Sequence, residues 1–150
     1  MLDNYEQYEI ECKRIRQSNA ELLGEFESWL RTSNLTDKTI GAHIENIDFY
    51  VNEYLLYEDA VEPQDGIHSV SMFLGYWFVK KAMWASETAI RSNAASLKKF
   101  YAFLHERGLV NKDDLESLKE TIKEEMPDWL ATVERYDDPS ITDMEDVWGL

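Results

Sequence analysis

The sequence predicts an all-α fold, and three observations carry that prediction. Apolar residues recur at three- and four-residue intervals through successive segments, most of those segments open on a helix-capping residue, and no stretch alternates apolar and polar with period two. With 44% hydrophobic and 13% aromatic residues over 150 positions, the chain can bury a core without staples.

The elements follow in order. Tyr5, Tyr8, Cys12 and Ile15 recur at helical spacing, as do Leu22, Leu23, Phe26, Trp29 and Leu30. Between them Ser18-Asn19-Ala20-Glu21 has the capping-box pattern, which predicts a helix start there, with one continuous helix from Asp3 to Arg31 as the alternative. Thr32 to Leu35 is a loop. Thr36 caps the next helix, whose stripe is Ile40, Ile44, Ile47, Val51, Tyr54 and Leu55 and whose other face is acidic. Pro63 and Gly66 break the chain between Glu58 and Ile67, and Ser69 opens a third helix through Val70, Phe73, Leu74, Trp77 and Phe78. That helix is apolar nearly all round, so it is expected at the centre, with Trp77 as a core residue.

Ser86 caps a fourth helix with Ile90, Ala94, Leu97, Phe100, Tyr101 and Leu104 on one stripe, and Gly108 stands where a left-handed residue stops it. Asn111 caps 112–125, and Pro127 fits the first turn of a further short helix holding Trp129, Leu130 and Val133. Beyond Tyr136 periodicity ends. The acidic segment 137–150 has no Lys or Arg and is expected to be extended or disordered when free.

Composition narrows the function classes. Cys12 is the one cysteine, so no intramolecular disulfide and no repeated Cys/His zinc spacing is available, and a reducing cytoplasm fits. Residues 1–6 lack the basic start and apolar run of a secretory signal. The most apolar stretch, 70–79, is far shorter than the roughly 20 residues that span a bilayer, so no membrane role is expected. Net charge is −15, from 30 acidic and 15 basic residues, which opposes polyanions at long range.

Two helix openings carry a family resemblance. Phe26-Glu27-Ser28-Trp29-Leu30 is followed by a short loop and Leu35-Thr36-Asp37-Lys38-Thr39-Ile40. Further on come Ser86-Glu87-Thr88-Ala89-Ile90-Arg91-Ser92-Asn93, then Leu97-Lys98-Lys99-Phe100-Tyr101-Ala102-Phe103-Leu104, closed by Glu106 to Val110. In order and spacing, the segment 22–110 resembles the N-terminal, SAM-like core-binding domain of phage-integrase-type tyrosine recombinases. The resemblance implies a four-helix SAM-like bundle over 22–110, with an extra N-terminal helix (1–21), a C-terminal helical extension (111–136) and the acidic tail (137–150). It also implies half of a clamp around duplex DNA, since the family's strand cleavage belongs to a separate domain.

The chain departs from the family in two ways. The family's catalytic tyrosine, its arginines, lysine and His-x-x-Arg motif have no counterpart set: His105-Glu106-Arg107 is one residue too short, and the segment after Val110 is too small for the missing domain. No catalytic residue, metal ligand or cofactor is assigned. The second helix carries Asp37, Glu45, Asp48 and Glu53 against Lys38, whereas a DNA-facing helix presents cations and neutral donors.

The candidate DNA contacts are therefore the cations Lys80, Lys81, Arg91, Lys98 and Lys99, with the hydroxyls Thr36, Thr39, Thr88 and Ser92 at helix starts that match the family's. The plainer reading of the cations is a solvated face with local pairs such as Glu87 to Arg91, and of the hydroxyls, capping and surface. His43, His68 and His105 are too scattered for a metal site and are expected to be structural or exposed. Met144, Val147, Trp148 and Leu150 lie in an acidic frame and are the candidate partner-binding residues, docking in cis or trans or else fraying. The expected partners are duplex DNA through the fourth helix, or a basic or recombinase-like protein; a purely acidic protein-interaction module is the alternative function.

Overall fold

The computed structural model describes residues 3–137, which form helices and turns with no strand. The all-α prediction holds. The first helix, α1, is Asn4–Arg31, opened by the Asp3 carboxylate, which accepts from the Glu6 N–H at 2.7 Å. It runs unbroken through the Ser18 capping-box pattern, so the alternative of one continuous helix is the one realised. The reason is burial: Cys12, Ile15, Asn19, Phe26 and Leu30 form one buried stripe, and a start at Ser18 would interrupt it. Asn19 is buried because its amide donates to Asn52 Oδ1 at 2.8 Å on the neighbouring helix.

Thr36 caps the second helix, α2 (Asp37–Phe49), accepting from the Thr39 N–H at 3.2 Å. The helix continues through one π-helical stretch, Tyr50–Tyr54, and the wider turn lets Tyr50, Val51, Leu55 and Leu56 all enter the interior. The break that Pro63 and Gly66 predict is a 3-10 turn, Pro63–His68. Two buried tyrosines tie it down: Tyr50 donates to the Gly66 carbonyl at 2.6 Å and Tyr101 to the Pro63 carbonyl at 2.8 Å. Burial raises both phenols above the ordinary tyrosine range, so they remain donors.

The third helix, α3, spans 70–81, with α-helical turns on either side of a second π-helical stretch, Phe73–Trp77. Val70, Phe73, Leu74, Phe78 and Val79 are buried, but Met72 and Tyr76 are exposed. The expectation of an all-round buried helix is thus corrected: one face meets solvent. Trp77 packs partly buried on that side, although its enclosed indole N–H meets no hydrogen-bond partner among the described residues.

The fourth helix, α4 (Glu87–Glu106), carries the predicted signals at both ends. The Ser86 hydroxyl accepts from the Ala89 N–H at 3.0 Å, and Gly108 adopts φ +76. The last helix, α5 (Lys112–Asp137), is capped by Asn111, which accepts from the Asp114 N–H at 2.7 Å. Pro127 lies inside this helix rather than opening a new one. Leu115, Leu118, Ile122, Trp129 and Val133 keep one buried face across it, and that continuous burial outweighs the hydrogen bond the proline omits.

Side-chain contacts fix the packing directions. His43 meets Ser96 and Asn46 meets Ser92, so α2 and α4 are antiparallel; Ser71 meets Glu125 and Gly75 meets Trp129, so α3 and α5 are parallel. Phe26 stands edge-on to Phe100 at 5.3 Å and joins α1 to the same core, which extends from Phe26 to Val133.

Candidate interaction surfaces

The α2–α4 seam is polar in the middle of an apolar bundle. The His43 ring Nδ1 lies 2.7 Å from the Ser96 hydroxyl, and the Asn46 amide donates to Ser92 at 3.0 Å and to Ser96 at 2.9 Å. Ser96 in turn donates back to the Ser92 carbonyl at 3.1 Å. Burial and then the Lys99 charge hold the His43 pKa below its ordinary value, so the ring is neutral at neutral pH. The seam is satisfied internally, and Ser92, a predicted phosphate contact, accepts from Asn46 instead of facing solvent freely.

The other predicted DNA contacts separate into three places. Thr36 and Thr39 bond to each other at 3.0 Å while Thr36 caps α2, so capping accounts for Thr36. The antiparallel seam sets the Thr39 turn opposite the Lys99 turn. Thr88, Arg91 and Lys98 are exposed on α4 and Lys99 is half-buried beside them. Lys80 and Lys81 lie elsewhere, at the end of α3, each with its ammonium 5.4 Å from a tyrosine ring centroid, Tyr76 and Tyr57 respectively. The arrangement brings Arg91, Lys98 and Lys99 onto one helix and leaves Lys80 and Lys81 with the aromatic face.

Ion pairs are few among the described cations, and the ridge on α4 shares that state with residues such as Lys13, Lys38, Lys112 and Lys123. Arg14, Arg31 and Arg107 each meet a carboxylate at 2.9 Å, and Lys119 meets Glu116 at 3.6 Å. Among the described residues no such partner reaches Arg91, Lys98 or Lys99, and the expected Glu87 to Arg91 pair is not formed. In a chain with twice as many carboxylates as cations, these three charges remain available to an outside anion.

The opposite sign prevails along α2 and its π-helical extension. A groove of about 390 Å³ lies among Tyr54, Tyr57, Tyr76 and Trp77, with Glu58 and Asp59 at its edge. A second cavity, of about 290 Å³, is walled by Glu45, Asp48 and Glu53 and floored by Phe49, Phe78 and Trp84. Sequence reasoning found the acidic face of α2 but missed this cavity. Its one local signal was Met83-Trp84, an apolar pair between lysines and a helix cap.

The histidines are structural or exposed: His43 belongs to the seam, His105 bonds the Val110 carbonyl at 2.8 Å, and His68 is exposed 3.7 Å from Asp114. Among the described residues no group of three or more His, Cys, Asp or Glu is arranged to hold a metal ion, and no helix is long and apolar enough to cross a membrane. Met144, Val147, Trp148 and Leu150, the candidate partner-binding residues, lie outside the described residues. No family model, curated protein or solved structure matches this chain.

Proposed function

We propose that this chain is a stand-alone, non-catalytic relative of the recombinase core-binding module, acting in the cytoplasm as a DNA-binding accessory of recombination through α4. The observation that carries this reading is the ridge of Arg91, Lys98 and Lys99, without ion-pair partners among the described residues, on the helix whose sequence resembles the family's. Thr88 lies on the same helix and offers a hydroxyl to a neighbouring phosphate. The α2 carboxylates restrict the contact to α4, and the net charge of −15 keeps the affinity for free duplex modest. The reading needs no cofactor.

The test is a titration of labelled duplex DNA at low salt with wild type and with Arg91→Ala/Lys98→Ala/Lys99→Ala. The substituted side chains are exposed or half-buried, so the variant is expected to keep its helical circular dichroism and to lose about tenfold or more in affinity. Absence of wild-type binding, or equal binding by both proteins, removes the α4 reading.

A second reading, an acidic module that binds a basic protein and no DNA, is favoured by the acid-walled aromatic cavity beside α2. Under it, the purified chain captures a basic partner and leaves duplex DNA unbound at every salt concentration.

A further inference from the structure

The cavity beside α2 combines two features that select the same ligand. Its floor is an aromatic corner in which Trp84 stands edge-on to Phe49 at 5.2 Å and to Phe78 at 6.2 Å. Trp84 nevertheless remains 58% exposed and its neighbour Met83 99% exposed, an apolar surface that burial within the chain does not explain. Its walls carry the carboxylates of Glu45, Asp48 and Glu53. Asp48 accepts a hydrogen bond from the Asn52 amide at 2.6 Å, but among the described residues no Lys or Arg forms an ion pair with any of the three.

The adjacent groove shows what such a surface attracts. There the chain's own Lys80 and Lys81 already stand 5.4 Å from the ring centroids of Tyr76 and Tyr57, Lys80 also donating to the Tyr76 hydroxyl at 3.3 Å. No cation of the described chain lies over Trp84. An exposed indole ring beside three carboxylates that no Lys or Arg of the described chain pairs therefore suits an external cation, and the chemistry discriminates among cations. A planar guanidinium stacks on an indole while its forked N–H groups reach carboxylates at the edge, whereas an ammonium offers a point charge without a stacking face.

We propose that this cavity is a docking site for an arginine side chain of a basic partner protein. The occupant is fixed by complementarity of charge and shape: carboxylate walls for the guanidinium, the Trp84 face for its plane, and Met83 for the apolar stem next to it. The site deepens the second reading by naming the ligand of the acid-walled cavity, and it takes a charge opposite to the one α4 would take, through side chains other than Arg91, Lys98 and Lys99.

The experiment titrates a soluble oligoarginine peptide against the full chain at physiological salt, by calorimetry. Four proteins are compared: wild type, Trp84→Ala, Glu45→Gln/Asp48→Asn/Glu53→Gln, and Glu120→Gln/Glu124→Gln/Glu134→Gln, which removes as much charge from the exposed side of α5. Thermal melts confirm that each is folded. Wild type and the α5 variant are expected to bind alike, while the two cavity variants each lose about tenfold in affinity. Equal weakening by both triple variants, unchanged binding by Trp84→Ala, or no wild-type binding overturns the site. Peptide and DNA carry opposite charge, so failure here leaves the DNA titration of α4 unaffected and separately decided.

Discussion

His43 shows how a single residue ties stability to pH. Its ring is held below the ordinary value of 6.5, first by burial and second by the Lys99 charge. The unfolded chain therefore binds a proton at this site more readily than the fold does, and the stability present above that value is lost as pH falls through and below it. Glu11, held low by Arg14, gives up its share only further into the acid range. The expected outcome is that the melting temperature of wild type drops more between about pH 7.5 and about pH 5.5 than that of His43→Gln, which keeps a hydrogen-bonding side chain without the titration. Equal drops would contradict the assignment. The sequence allowed a structural role for His43 but not this one, because Ser96 and Lys99 reach it from a helix more than fifty residues away.

At the scale of elements, α3 and α5 approach each other closely at Gly75. A Cβ at Gly75 would stand 2.9 Å from the buried Trp129 ring, so the ring or the two helices must shift to admit it. Overpacking of this kind costs about 1–3 kcal/mol, more than the roughly 0.5–1 kcal/mol that alanine gains over glycine in a helix. Gly41 on α2 has nothing within 4 Å of the same built atom. Gly75→Ala is expected to lower the melting temperature and Gly41→Ala to raise it; the reverse order in thermal denaturation would show the α3–α5 contact to be wrong. The ends of elements were readable in advance at Thr36, Ser86, Asn111 and Gly108, since a cap is a bond between residues a few positions apart. The continuity of α1 past Ser18 and of α5 past Pro127 was not, because it depends on buried stripes formed against distant helices. The two π-helical stretches were hidden for the same reason: their extra residue per turn serves burial, not local preference.

At the scale of the whole molecule, two surfaces of opposite sign stand on one bundle. The basic ridge of α4 was readable in the sequence, since its cations lie on one helix. The acid-walled cavity was not, because its residues come from α2, its π-helical extension, α3, the loop before α4 and Asn93 of α4 itself, and only folding brings them together. A chain of net charge −15 repels duplex DNA as a whole, so any binding must come from a local patch, and local phosphate contacts leave a countable signature in salt. The central claim is that Arg91, Lys98 and Lys99 form that patch, and the most direct measurement is the dependence of duplex affinity on salt concentration. Three phosphate contacts predict that log K falls against log salt with a slope of about −2.7, and that the slope moves close to zero in Arg91→Ala/Lys98→Ala/Lys99→Ala. A wild-type slope near zero, or the same slope in wild type and variant, would contradict the account.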